Sequence, residues 1–294
     1  MGPVTCPDCP DEERERGLPG EADGTVQAAL AQALDELAGR DVILVAVDFD
    51  GTLAPIVDDP EAARPLPLAV EAIEALARLP GTRVAVVSGR PLAQLRRLLR
   101  AGGRVALVGS HGAEVDLGDA REDVDGLDDD ALDDDALDEA QLQLLSRLRN
   151  AVADIARAHP GTTVEEKPAA VVLHTRTADR EAAAAATREA LEGPGGWQGV
   201  HVLRGKEVVE LAVTEASKGL ALQRLSVLLG LEHGGVFFAG DDTTDERAFA
   251  VLTDDAGNVT VKVGAGRTAA RHRVAGPDEL AEVLALLAGS RGAR

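Results

Sequence analysis

Two acidic clusters carry the chemistry this sequence offers. DFDGTL at 48–53 directly follows an apolar run and sets Asp48 and Asp50 two residues apart. On an extended segment such residues point the same way. One can serve as nucleophile or metal ligand and the other as acid/base. Gly51 permits a sharp turn and Thr52 offers a hydroxyl, although Asp and Gly after a strand also suit an ordinary turn. GDDTTDE at 240–246 follows another apolar run and gathers Asp241, Asp242, Asp245 and Glu246. Acidic clusters at neighbouring strand ends repel each other without a cation, and hard oxygen ligands beside phosphate chemistry suggest Mg²⁺. SGR at 88–90 supplies Ser88 and the backbone amide of Gly89, both suited to phosphate oxygens. Lys218, at the start of a helical stretch, would neutralise charge there. Each motif is weak singly. The four in this order, each at a strand end or helix start, point to phosphoryl chemistry.

The elements that must position them are legible. Apolar runs at 42–48, 83–88 and 104–110 alternate with helical spacing at 66–79 and 91–100. After Gly219 the pattern resumes: helix 217–229, strand 235–241, helix 244–252, strand 258–263, helix 277–288. Strands apolar throughout and separated by helices predict a parallel sheet covered on both faces. The middle differs: a helix at 139–159 precedes strands at 162–167 and 169–176, and a helix at 179–192 precedes strands at 200–204 and 207–211. Close strands joined by short turns pair antiparallel. The expected fold is therefore α/β: a doubly wound, Rossmann-like parallel-sheet core at 41–118 and 213–294, with an inserted α+β cap at 119–212. Residues 1–40 are read as a tail and leading helix. The cleft between core and cap, at the carboxyl ends of the strands, is the expected ligand site.

Composition narrows the classes. With 30 basic and 51 acidic residues the net charge is −21, which argues against nucleic acid. Aromatics are too few for base stacking. No apolar run reaches about 18 residues and the N-terminus lacks a secretory pattern, so no membrane span and a cytoplasmic location are expected. Most of the charge is local: residues 119–139 hold 12 acids against one Arg, and residues 1–24 hold 7 against two. The Asp-Asp-Asp-Ala-Leu run reads as a solvated, disordered block. Asp123, Asp125 and Gly126 lack the spacing of a calcium loop. Cys6 and Cys9 form a lone CxxC in a polar tail, short of the four ligands zinc usually needs.

The order DFDGTL, SGR, Lys218, GDDTTDE resembles the haloacid-dehalogenase-like phosphatase superfamily. GSHGAE (109–114), EEKPAAVVLHTR (165–176) and GKEVVEL (205–211) bring it closest to the trehalose-6-phosphate phosphatases, over 41–288 apart from the acidic insert. The resemblance implies Mg²⁺-dependent hydrolysis of trehalose 6-phosphate through an aspartyl-phosphate. It makes Asp48 the nucleophile and Asp50 the acid/base. The Asp48 side chain, the Asp50 backbone carbonyl and Asp241 become metal ligands, with Asp245 in support. Thr52, Ser88, Gly89 and Lys218 hold phosphate. Arg90, His111, Glu165, Lys167, His174, Arg176, Arg204, Lys206, Glu210 and Glu246 fall at substrate contacts. A trehalose-6-phosphate synthase is the implied partner.

The residues of the middle segment agree. His174 and Arg176, and likewise Lys206, Val208 and Glu210, alternate along predicted strands, as polar residues lining a cleft would. The solvated face of a half-exposed sheet gives the same pattern. With one Trp and no Tyr, sugar recognition would rest on hydrogen bonds. Sucrose 6-phosphate or mannosyl-3-phosphoglycerate as substrate, and a catalytically silent sugar-phosphate-binding partner of a synthase, are the competing readings.

Overall fold

The computed structural model describes residues 19–119, 137–205, 207–215, 217–229, 231, 235–252 and 257–294. Lys206, Cys6, Cys9 and the acidic run 120–136 lie outside them.

The central sheet is built on β1 (Ile43–Val47), whose five residues are all buried. Ile43, Val45 and Val47 face one apolar layer and Leu44 and Ala46 the other, so no position along β1 faces solvent. Such a strand is stable only with helices on both faces. On one side β1 pairs in parallel with β2 (Thr82–Val87), and on the other with β9 (Val236–Gly240). The remaining strands of this sheet are β3 (Val105–Gly109), β4 (Glu114–Asp116), β10 (Val259–Val263) and β11 (His272–Val274). The order is β11-β10-β9-β1-β2-β3-β4, and only β4 runs antiparallel, against β3. One face is covered by α1 (Pro19–Ala38), α2 (Pro67–Ala77), α3 (Leu92–Leu99) and α8 (Pro277–Gly292), through residues such as Leu34, Ile73, Leu95 and Leu284. Leu222 and Leu225 of α6 (Lys218–Leu228) and Phe249 of α7 (Thr243–Val251) cover the other. Far from the candidate site, the buried Arg291 guanidinium donates to Thr82 Oγ1 and to the carbonyls of Ala38, Arg40, Asp41, Pro80 and Gly81. It thereby ties α8 to the amino ends of β1 and β2.

The chain leaves β1 toward β2 and later returns on β1's other side as β9. A parallel sheet wound in both directions from one strand opens a crevice there, at the carboxyl ends. Asp48 and Asp241 stand at those two ends.

Between β4 and α6 the chain forms a second sheet of β5 (Thr163–Glu166), β6 (Ala170–His174), β8 (Val208–Ala212) and β7 (His201–Gly205), in that order and all antiparallel. α4 (Glu139–Ala158) and α5 (Arg180–Glu192) pack on one face. Leu145, Leu148, Val152 and Ile155 meet Val171, Leu173, Val209 and Leu211 there. Period-2 alternation then turns Glu165, His174 and Glu210 to the opposite face. Among the described residues no helix is long and apolar enough to cross a membrane.

Candidate active site

Alternation explains the first motif. Phe49 is fully buried in the core, so Asp48 and Asp50 on either side of it both project at the strand end. Gly51 follows with φ +73°, and a Cβ there would overlap the Asp241 carboxylate. Only glycine lets the two acidic loops approach so closely.

Asp48 is buried, and its Oδ1 accepts from Lys218 Nζ at 2.5 Å. The Thr52 hydroxyl lies 3.3 Å from Asp48 Oδ2. Lys218 also donates to Asp245 Oδ1 at 2.8 Å. The other Asp245 oxygen accepts the backbone N–H groups of Asp241 and Asp242, at 3.0 and 2.9 Å. Asp245 thus orients the turn as well as offering charge. A lysine at a helix N-terminus opposes the helix dipole, but two carboxylates within hydrogen-bond reach outweigh that. Burial alone would pull the Lys218 ammonium down; Asp48 and Asp245 hold it above the ordinary lysine range. Burial, with the charges of Asp245 and Asp241, pushes Asp48 well above the usual carboxylate range despite Lys218. Burial first, then Asp245, raises Asp241 to about 6.

These shifts mark excess negative charge, and the donor set fits a hard divalent cation. Asp48, Asp241 and Asp245 each offer a carboxylate oxygen, all within 4.8 Å of one another. Among the described residues, the Asp241 carboxylate has no hydrogen-bond donor of its own. The repulsion has a measurable consequence. Asp241 titrates near 6 when folded, whereas an unfolded aspartate titrates at about 3.9. The folded chain therefore binds more protons between those values, and without metal its stability falls as pH rises through that window. Asp241→Asn in EDTA should be more stable than the wild type at pH 7.5 by on the order of 1–3 kcal/mol, and so melt at a higher temperature, with the gap closing toward pH 4. Equal melting temperatures at pH 7.5 would contradict this charge balance.

The second strand end carries Ser88, buried, whose Oγ accepts the Arg90 N–H at 3.2 Å. The Arg90 side chain turns back and grips Asp50 with two bonds of 2.6 Å, its guanidinium 5.5 Å from the Phe49 ring centroid. Arg90 was expected at a substrate contact; here it holds Asp50.

The second sheet presents its polar face to these loops. Lys167 Nζ donates to the Gly89 carbonyl at 3.0 Å and to Glu210 at 2.7 Å. His111 packs against Gly89, with Nε2 3.9 Å from Glu210. Burial, then Lys218 and Lys167, lowers its pKa to about 3, so its ring is neutral. On the same face Glu165 and His174 pair at 2.8 Å. That bond holds Glu165 below its ordinary range.

Two expected contacts, Arg204 and Glu246, lie elsewhere, and a third, Arg176, reaches from the second sheet to the loop after Leu53. Arg204 pairs in register with Val209, a helix-facing core residue, and lines a groove with Ala183, Thr187 and Arg188 of α5. It is thus on the sheet face turned away from Asp48. Arg176 falls beyond the end of β6, in a turn, and reaches exposed Asp58 at 3.2 Å. Glu246 turns away from the cleft to hold the 268–269 loop, because neighbouring helical residues point about 100° apart and Asp245 takes the inward direction. One residue was missed. Lys262 is buried, and its ammonium donates to the Asp241 carbonyl. Its signal was a lone lysine inside the apolar strand VTVKV.

Residues 46–281 match the family model described as trehalose-phosphatase. A trehalose-phosphate phosphatase of Mycobacterium avium is 37% identical over 229 residues, covering 75% of this chain and 54% of that protein. A bifunctional trehalose-6-phosphate synthase/phosphatase of Thermoproteus tenax is 36% identical over 79% of this chain and 30% of its own. The chain spans about half the length, or less, of these relatives. The fold matches the C-terminal domain of Candida albicans trehalose-6-phosphate phosphatase with a TM-score of 0.70 at 23% identity, over 90% of this chain and 96% of that one. An Aspergillus fumigatus trehalose-6-phosphate phosphatase gives 0.64 at 25%, over 88% and 97%.

Proposed function

Because the chain belongs to the trehalose-phosphatase family, we propose that it hydrolyses trehalose 6-phosphate to trehalose and phosphate. The observation that carries this reading is the buried Asp48 carboxylate at the switch point of a parallel sheet, flanked by Lys218, Asp241 and Ser88. A charged sheet face bearing Lys167, Glu210, Glu165 and His174 stands opposite. One end of such a cleft suits a phosphate and the other a polyhydroxylated sugar.

In this mechanism an Asp48 oxygen attacks phosphorus in line. The Asp48 O–P bond forms and the bond to the sugar 6-oxygen breaks. Asp50 gives that oxygen its proton, having first rotated off Arg90. A water then attacks the aspartyl-phosphate and gives its proton to Asp50, so phosphate leaves and Asp48 is regenerated. Lys218, the Ser88 hydroxyl, the Thr52 hydroxyl and the Gly89 amide hold the phosphoryl oxygens. Asp48, Asp241, the Asp50 carbonyl and Asp245 would hold Mg²⁺, which supplies charge neutralisation on the transferring group. Residues 119–212 act as a cap whose polar sheet face recognises the sugar by hydrogen bonds. Lys167 and Glu210, now bonded to each other, exchange partners with sugar hydroxyls.

The Thermoproteus tenax relative is named for synthase and phosphatase activities together, which supports a synthase as partner. A cytoplasmic location suits a charged sugar phosphate, which crosses a bilayer poorly.

The test is phosphate release with Mg²⁺ and with EDTA, across a substrate panel. Release from trehalose 6-phosphate should require the metal. It should exceed that from glucose 6-phosphate, sucrose 6-phosphate and mannosyl-3-phosphoglycerate by about 100-fold or more in kcat/KM, since hydrogen-bonding sites discriminate strongly. Equal rates on glucose 6-phosphate would overturn the substrate assignment. No release from any of them would favour the silent binding partner.

A further inference from the structure

Behind the acidic cluster lies an ion pair that the proposed mechanism does not use. Lys262 sits at the end of β10, in register with Gly240, the residue before Asp241. Its side chain is 6% exposed and that of Glu246 27%. The ammonium donates to the Asp241 backbone carbonyl and lies 3.9 Å from Glu246 Oε1. That oxygen is buried and has no hydrogen-bond partner, so Lys262 is the cation that faces it. The other oxygen, Oε2, accepts the Thr268 hydroxyl at 3.2 Å and the Ala269 N–H at 2.8 Å. Thr260, two residues before Lys262, accepts the Arg271 N–H at 3.1 Å. A continuous polar path thus runs from the Asp241 main chain through Lys262 and Glu246 to the loop after β10.

A Lys–Glu pair that is largely withdrawn from water gains little net stability over apolar residues of similar size, because desolvation offsets the attraction. The geometry suggests what it provides instead. Asp241 follows Gly240, the last residue of β9, and its carboxylate has no hydrogen-bond donor among the described residues. The turn that aims it is fixed from the front by Asp245, through two backbone N–H groups. From behind it is fixed by Lys262, through the carbonyl. We propose that Lys262, backed by Glu246, is a positioning residue that aims Asp241 at the divalent cation. Neither side chain belongs to the metal donor set proposed above. This rests on the metal reading given above and goes beyond it, assigning to residues outside the donor set a share in cation affinity.

Outer-shell partners of metal ligands typically contribute about 10- to 100-fold in affinity. Lys262→Met keeps the volume and removes the charge. Calorimetric titration with MgCl₂ should show its Kd raised by about 10-fold or more, and Glu246→Gln should raise it by a smaller factor. KM for trehalose 6-phosphate at saturating Mg²⁺ should stay within about 3-fold of wild type, and Lys262→Arg should recover part of the affinity. If Lys262→Met folds poorly, Glu246→Gln reads the same path without disturbing the Asp241 carbonyl. A lower melting temperature with unchanged Mg²⁺ affinity in both variants would reduce the pair to a structural role and overturn the proposal. Wild-type protein that gives no Mg²⁺ heat, or Asp241→Asn that binds as tightly as wild type, would overturn the metal reading instead.

Discussion

Asp48→Asn should lower phosphate release from trehalose 6-phosphate by on the order of 10⁴-fold or more, as expected for loss of a covalent nucleophile. The substitution is nearly isosteric, and the asparagine Oδ1 still accepts from Lys218, which now sits 2.5 Å from Asp48. Folding should therefore survive. In EDTA at neutral pH the variant should match or exceed wild-type stability, since burial and the charges of Asp245 and Asp241 make the Asp48 anion unfavourable. Asp48 is also a proposed metal ligand, so lost turnover alone does not separate the two roles. Trapping does. Wild-type enzyme quenched during turnover and reduced with borohydride should carry homoserine at position 48, the product of reducing an acyl phosphate. Label at Asp241 or Asp245 would move the nucleophile. Asp48→Asn retaining more than a hundredth of wild-type activity would remove the covalent mechanism altogether.

The parts of this architecture that the sequence made legible share a physical property. β1, β2, β3 and β9 are buried on both faces along almost their whole length, so each shows as an apolar run with a functional motif directly at its carboxyl end; β10 is buried as well, but Thr260 and Lys262 interrupt its run. The helices covering them show helical spacing because one side of each meets the sheet. What escaped was phase and edge. β4 and β11 have three residues each, too few for any period to register. In β7, with a half-buried and exposed pattern, a one-residue change of phase decides which face Arg204 occupies. Only its pairing with Val209 settles that the side chain lies on the helix side. The apolar alternation carries the expected strand on to Arg176, whereas β6 stops at His174. The run of acids in GDDTTDE does not show that Asp245 turns inward while Glu246, about 100° further round the helix, turns to the 268–269 loop. The long-range partners of Arg90, Lys167 and Lys262 depend on loops that meet only once the sheet is assembled, so no local pattern announces them.

Lys218→Met should cost both stability and catalysis, and the two losses should separate. The ammonium is buried between Asp48 at 2.5 Å and Asp245 at 2.8 Å. Deleting it leaves two buried carboxylates facing each other, with Asp241 nearby. Removing one partner of a buried pair costs about 3–5 kcal/mol. The loss should depend on pH in a definite direction. Without Lys218, which lowers both, Asp48 and Asp241 titrate higher still, so the folded variant binds more protons than the unfolded chain over a wider range. Its deficit against wild type should grow as pH rises from 5 to 8 and shrink toward 5. Activity should fall by about 1,000-fold or more at every pH, because a buried cation on the transferring phosphoryl group acts in the transition state. Lys218→Met/Asp245→Asn decides between the effects. It removes one of the stranded charges while an amide oxygen remains to accept the N–H groups of Asp241 and Asp242, so melting temperature should rise well above that of Lys218→Met. Turnover should stay lost. If the double variant regained activity along with stability, Lys218 would be a structural counter-ion and the phosphate would be held by other groups.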